Sequence, residues 1–232
     1  VPPLTGHLFS VNSVCFHPKG GTLISVSNDK TVRVWDVVTG RQLKDIRGHT
    51  HQVSSVCVNA DGTLIASGSA DNTVRVWDFA TSQQRQPLLV HPLAITSVCF
   101  SPDGRHLVSG CVDKKVRVWD VLSGRELRTL SWHNGAVTAV CFAPNGKRFV
   151  SGSIDTKICV WDALTDGAPQ VLTGHTGEVT STVFSPHGEL LASASSDRVV
   201  RLWDVERNFT PRILIDDGAS FVVTTIGFSP DG

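Results

Sequence analysis

Apolar and polar residues alternate in short runs along the whole chain, and turn residues separate the runs. In one stretch Val53–Val58 is apolar and β-branched, and Ala60-Asp61-Gly62 interrupts it. Leu64–Gly68 follows, Asp71-Asn72 interrupts again, and Thr73-Val74-Arg75-Val76-Trp77 alternates with period two. Such alternation, bounded by Gly, Asn and Asp, predicts half-buried β-strands. Residues 86–90 predict a weaker fourth strand. No run carries useful helical spacing, so the pattern predicts an all-β fold.

The pattern recurs as a unit. Trp35-Asp36, Trp77-Asp78, Trp119-Asp120, Trp161-Asp162 and Trp203-Asp204 stand 42 residues apart without variation. A turn recurs with them, as Pro18-Lys19-Gly20, Pro102-Asp103-Gly104, Pro144-Asn145-Gly146, Pro186-His187-Gly188 and Pro230-Asp231-Gly232. Proline presets the first turn position and glycine supplies a positive φ, which predicts a hairpin. Three such connections make a four-stranded antiparallel sheet in each unit. One small sheet cannot bury both faces, whereas sheets arranged radially pack on their neighbours. The units fall at 8–48, 50–90, 92–132, 134–174 and 176–216, with a partial unit at 217–232, in one domain spanning 1–232.

Gly6-His7, Gly48-His49 and Gly174-His175 near the unit starts, the Ser-Pro-Asp-Gly type turns and the five Trp-Asp pairs resemble the WD-repeat β-propeller family. The resemblance covers essentially the whole chain. It implies a β-propeller of four-stranded antiparallel blades, with five full blades plus two terminal strands. Pro2–Thr5 is expected as an outer strand and Val222–Phe228 as an inner one. The family usually has seven blades, so the expectation is an incomplete ring or an excerpt of a larger propeller. The absence of methionine and the start inside a repeat point the same way. The remaining blades or another chain are expected to close the ring. The period slips once: Phe228 lies 44 residues after Phe184, which places two extra residues around Asp216-Asp217-Gly218-Ala219.

Each full unit, taken with the residue just before it, holds a His, a Ser, an Asp and a Trp in register. They are His7, Ser25, Asp29 and Trp35; His49, Ser67, Asp71 and Trp77; His91, Ser109, Asp113 and Trp119; His133, Ser151, Asp155 and Trp161; and His175, Ser193, Asp197 and Trp203. His, Ser and Asp together invite a hydrolase reading. Five equivalent copies, without a Gly-x-Ser-x-Gly elbow, argue against it. The resemblance implies instead a structural hydrogen-bond chain from Trp to Ser to His to Asp. No catalytic, cofactor or metal site is expected.

Composition narrows the partners. Basic and acidic residues balance at 21 each, so nothing favours nucleic acid or a membrane surface. No apolar run spans a bilayer, and the amino end lacks the features of a signal peptide. Cys15, Cys57, Cys99 and Cys141 share one position in successive units, while Cys111 and Cys159 stand alone. They read as small buried hydrophobes of a reducing compartment. The expected location is cytoplasmic, with the nucleus as the alternative.

Positions constant across units serve the fold, so binding is sought where the units vary. The family's usual contact ring lies on the face of the loops between outer and inner strands and between second and third strands. By this register the candidates are Ser10, Gln52 and Glu178 at the inner-strand starts, and Asn12, Ser54, Thr96, Thr138 and Thr180 two residues on. Before the turn Asp stand Asn28, Ala70, Val112, Ile154 and Ser196. Val112 and Ile154 form the most apolar part, flanked by Leu93 and Trp132. Trp132 is expected either to anchor a partner or to cover a neighbouring blade's edge. Arg33, Arg75, Arg117 and Arg201, two residues before their tryptophans, suggest cation–π stacking along the strand.

The reading is a non-catalytic protein- or peptide-binding scaffold, a sensor or interaction module of a larger signalling or assembly protein. The uniform period resembles the repeat arrays of signalling NTPases. The alternatives are a propeller enzyme with a central-channel site and a structural or synthetic repeat protein without a specific ligand. No Trp-Asp is followed by x-Arg, which disfavours a ubiquitin-ligase substrate receptor.

Overall fold

A computed structural model describes residues 3–85, 88–215, 222–229 and 231. They form five antiparallel sheets of four strands each. The first sheet holds β1 (Val11–Phe16), β2 (Thr22–Ser27), β3 (Thr31–Asp36) and β4 (Gln42–Arg47). The second holds β5 (Val53–Val58), β6 (Leu64–Ser69), β7 (Thr73–Asp78) and β8 (Leu89–Val90). The third holds β9 (Ile95–Phe100), β10 (His106–Cys111), β11 (Lys115–Asp120) and β12 (Glu126–Ser131). The fourth holds β13 (Val137–Phe142), β14 (Arg148–Ser153), β15 (Ile158–Asp162) and β16 (Gln170–Leu172). The fifth holds β17 (Val179–Phe184), β18 (Leu190–Ser195), β19 (Val200–Asp204) and β20 (Thr210–Ile215). Strands neighbour one another in chain order, the meander that the turn spacing predicts. No helix occurs among the described residues, so none is long and apolar enough to cross a membrane.

The inner strand of every sheet carries the same irregularity. Val11 faces Ser27 and Ser13 faces Val26, so Asn12 is the extra residue of a β-bulge. Ser54, Thr138 and Thr180 are extra in the same way, and Thr96 lies at the corresponding shift in the third sheet. A bulge bends the strand and re-aims the extra side chain. Across the second ladder of four sheets the Trp faces an apolar partner: Leu23 faces Trp35, Ile65 faces Trp77, Phe149 faces Trp161 and Leu191 faces Trp203.

The chain makes two compact units. One takes in residues up to Cys111 together with Arg117–Thr129; the other takes in Val112–Val116 and the chain from Leu130 onward. In the first unit the outgoing face of the first sheet (Ile24, Val26, Val32, Val34, Ile46) packs on the incoming face of the second (Val53, Val56, Ile65, Trp77). The outgoing face of the second sheet meets Ile95, Val98, Phe100, Leu107 and Trp119 of the third in the same manner. In the second unit Val150, Ile158, Val160 and Leu172 meet Val179, Phe184, Leu191 and Trp203. Period-two alternation thus gives the central strands of these sheets apolar neighbours on both faces, and each buried Val, Leu or Ile contributes about 1.5–3 kcal/mol.

Three expectations change. Residues 3–5 and 222–229 form no strand, so the terminal strands expected at Pro2–Thr5 and Val222–Phe228 are not sheet strands among the described residues. A strand requires a hydrogen-bonded neighbour, and no described residue ladders with either segment. The fourth strand expected at 86–90 contracts to Leu89–Val90, with an isolated bridge between Trp77 and Gln84; Gln86 itself lies outside the described residues. The two-residue slip at Asp216-Asp217-Gly218-Ala219 also lies outside them.

Candidate functional site

The repeated His, Ser, Asp and Trp converge within each sheet. Trp35, Trp77, Trp119, Trp161 and Trp203 donate their indole N–H to Ser25, Ser67, Ser109, Ser151 and Ser193 at 2.7–2.8 Å. The same hydroxyls meet Nε2 of His7, His49, His91, His133 and His175 at 2.7–2.8 Å. Nδ1 of His7, His49, His133 and His175 lies 2.8–3.0 Å from Asp29, Asp71, Asp155 and Asp197. A neutral imidazole with its proton on Nδ1 satisfies the whole chain: Trp donates to Ser, Ser to Nε2, and Nδ1–H to the carboxylate. In the third sheet Asp113 accepts the Lys115 N–H at 3.1 Å, closing the same turn.

The carboxylates are held by many donors. Burial alone would raise the Asp29 carboxyl, but Thr31, His7 and the Leu8 N–H bring it well below the usual range. Asp71 is lowered likewise, with burial outweighed by His49 and Thr73. For Asp155 and Asp197 burial is outweighed first by the N–H groups of Asn134 and Thr176, with His133 and His175 adding to them. His175 itself is lowered by burial, partly offset by Asp197. One layer of this network escaped the sequence reading. Ser27, Ser69, Ser153 and Ser195 accept the N–H of the turn Asp at 3.0–3.1 Å. Their 42-residue period was visible, and Cys111 stands in the same register in the third sheet, its thiol pointing to the Leu93 carbonyl at 3.3 Å.

The variable positions fall on one end of the sheets. Backbone bonds join Asn28 to Ser10, Ala70 to Gln52, Ile154 to Ala136 and Ser196 to Glu178 at 2.8–3.0 Å. The two loops chosen from the sequence are therefore adjacent within each of these sheets. Ser10, Gln52 and Glu178 are exposed, while Asn28, Ala70 and Ser196 are half-buried. Val112 and Ile154 are each 42% exposed, Leu93 46% and Trp132 50%.

The bulge residues of the expected contact ring also bond to the next repeat. Asn12 donates to the Val53 carbonyl at 2.8 Å, Ser54 to Ile95 at 2.6 Å and Thr180 to Val223 at 2.6 Å; Thr138 donates to Val179. In each pair the acceptor opens the next repeat, so these side chains tie successive repeats together. Thr96, in the same register, is half-buried. The arginines are also redirected. Arg33 reaches Gln42 at 2.7 Å and Asp29 at 3.6 Å, Arg75 reaches Gln84, Arg117 reaches Glu126 at 3.6 Å and Arg201 reaches the Gly174 carbonyl at 2.9 Å. The described cation–π contacts are Lys44 over Phe79 and Arg148 over Phe209, not the expected Arg–Trp pairs. A guanidinium beside the outer strand finds oxygen acceptors there, which outweigh stacking.

At the other end of the sheets a cavity of about 550 Å³ opens between the second and third sheets, beside Asp61, Asp103 and Asp120. Hydrogen bonds from Thr63, Ser101 and Ser123 respectively hold these carboxyls below their ordinary range. All six cysteines are thiols, and burial pushes Cys159 up to about 12.

Radially stackable four-stranded sheets with one Trp–Ser–His chain apiece define a propeller-type repeat protein. The chain belongs to the family described as WD domain, G-beta repeat, whose model matches residues 1–36, 40–78, 83–120, 124–162 and 168–204. Its repeats are those of protein-interaction scaffolds. Similar proteins include lissencephaly-1 homolog 1 of Paramecium tetraurelia, 51% identical over 43 residues, covering 18% of this chain and 11% of that protein. The nuclear distribution protein nudF 2 of Penicillium rubens is 52% identical over 44 residues, 18% of this chain and 10% of its own. A ribosome biogenesis protein BOP1 homolog of Drosophila melanogaster is 49% identical over 41 residues, 18% of this chain and 5% of its own. The matches thus span about a tenth or less of those relatives.

Proposed function

We propose that this chain is a non-catalytic scaffold whose variable loop face binds a protein or peptide, as an interaction module of a larger signalling or assembly protein. The observation that carries this reading is the division of labour among its polar side chains. Ser67, Ser109, Ser151 and Ser193 are fully buried and engaged by Trp and His, so no substrate carbonyl reaches them. On the loop face the exposed residues vary between units, and among them Val112, Ile154 and Trp132 are apolar. These three belong to one compact unit, and exposed aromatic and aliphatic side chains of this kind supply binding anchors. A rigid sheet scaffold lowers the ordering cost of binding, while its loops set specificity. Relatives named for nuclear distribution and ribosome biogenesis fit an assembly role. The test is a pull-down comparing wild type with Val112→Arg/Ile154→Arg, with Leu122→Arg at the far end of the sheets as the control. Loss of a partner with the double variant alone supports the reading; equal recovery from all three removes the site.

A further inference from the structure

Two cavities of the first compact unit lie at the end of the sheets away from the loop face, at the same place in successive repeats. One, of about 340 Å³, opens between the first and second sheets beside His17, Lys19, Gly62 and Phe79. The other is the cavity of about 550 Å³ between the second and third sheets. Asn59, Asp61, Gly104 and Val121 line it, each 42 residues beyond its counterpart in the first. The smaller cavity carries its own plug. His17 is buried, its Nε2 lies 3.0 Å from the Gly62 carbonyl, and the Lys19 N–H donates to its Nδ1 at 3.3 Å. These bonds put the ring proton on Nε2, which donates to the carbonyl. The ring packs against Phe79 with centroids 4.4 Å apart, and so close over Gly62 that a Cβ there would fall 2.4 Å from Nε2.

The larger cavity lacks both rings. Asn59 stands in the place of His17 and turns its amide onto its own turn, donating to Thr63 at 3.2 Å and accepting the Leu64 N–H at 2.8 Å. Val121 stands in the place of Phe79. Over Gly104 the nearest atom to a Cβ would be Nδ2 of Asn59, at 3.5 Å. The rim changes sign as well, because Asp61 replaces Lys19. Asp103 and Asp120 add two more carboxylates, beside His106, Arg105 and Arg85, the last of which reaches Asp78 at 3.8 Å.

We propose that the larger cavity is a binding site for a histidine side chain of a partner protein, whose imidazole takes the place over Gly104 that His17 takes over Gly62. The contact inside the smaller cavity specifies the chemistry: a flat ring that fits between the turns, with an N–H aimed at the glycine carbonyl. The change at the rim adds to it. A protonated imidazole donates from both nitrogens, and the second N–H meets a carboxylate at Asp61 where the smaller cavity has Lys19. The site lies at the opposite end of the sheets from the loop face and does not depend on it.

The probe is an acetylated and amidated Gly-His-Gly peptide, titrated into the intact protein near neutral pH and followed through the backbone amide resonances of Thr63 and Gly104. Both should shift saturably. A peptide with thiazolylalanine in place of histidine keeps the ring shape without the N–H, and should bind about tenfold more weakly. Asn59→His/Val121→Phe, which copies the plug of the smaller cavity into the larger, should abolish the shifts while the melting temperature holds or rises. Asp61→Lys, at an exposed turn position, should weaken binding about threefold, and it decides the matter alone should the plugged variant not fold. Val112→Arg/Ile154→Arg should leave binding unchanged, which keeps this test apart from that of the loop face. Absence of saturable shifts, equal binding of the thiazole peptide or of Gly-Arg-Gly, or binding indifferent to the plug or to Asp61→Lys overturns the proposal.

Discussion

Ser54 donates its hydroxyl to the Ile95 carbonyl at 2.6 Å, across the boundary between two repeats. The bulge in β5 creates this contact, because it turns a side chain that would otherwise follow the strand's alternation toward the adjoining inner strand. Ser54→Ala should therefore destabilise the protein by about 1 kcal/mol, the net worth of a typical hydrogen bond. Ser54→Thr should retain most of it. Urea denaturation of the three proteins checks this, and equal midpoints would show that the bond contributes nothing.

Trp119 fills the core of the first unit and donates to Ser109 at 2.8 Å. Trp119→Phe keeps much of the apolar bulk and removes the donor. A loss of about 1–3 kcal/mol is expected from the buried hydroxyl left short of a partner, together with the smaller ring. The melting temperature should fall accordingly; an unchanged melting curve would reject the network's structural role.

Acid should weaken the fold through the turn carboxylates. Asp29, Asp71, Asp155 and Asp197 all lie below their ordinary values in the folded chain. A carboxyl with a depressed folded pKa binds more protons when unfolded. Its contribution is complete at neutral pH and is lost as pH falls below the unfolded value, about 4, toward the folded one. His175, also lowered, adds a loss that begins as pH falls through its unfolded value near about 6.5. Melting temperatures measured from pH 7 downward should therefore decline in two stages, and Asp197→Asn should make the lower one shallower, with Asp29, Asp71 and Asp155 keeping the rest. A profile that is level into strong acid would contradict this.

Thr156 occupies a left-handed turn position, with φ of 70°, where Asn72 stands in the second sheet with φ of 68°. A β-branched side chain is strained there, and asparagine is not. Thr156→Asn should stabilise the protein by about 1 kcal/mol. Differential scanning calorimetry should show a higher melting temperature, and a decrease would mean that the threonine makes a contact worth more than its strain.

The tetrads were legible because every member lies within one 42-residue repeat and recurs with it, so spacing alone brought them into register. The turn-capping Ser69 was equally periodic yet was overlooked, since serine beside a turn has no distinctive chemistry in sequence. The arginines were misread because strand alternation places Arg75 and Trp77 on the same side without saying which oxygen lies within reach. The structure supplies it: Gln84, beside the isolated bridge to Trp77.

By itself the sequence determined the number of four-stranded sheets, their strand order, the family and the Trp–Ser–His–Asp register. These follow from local periodicity and from turns whose residues dictate their own backbone. Only the tertiary structure decided how the bulge residues are used and how far each outer strand is covered. Asn12, Ser54, Thr138 and Thr180 stand in the expected contact register, but a bulge has no compositional signature, so nothing local showed that their acceptors lie 41 or 43 residues away in the adjoining repeat. Burial is likewise a property of what packs on a surface, so the same apolar outer-strand position is covered at Leu172 and exposed at Ile215.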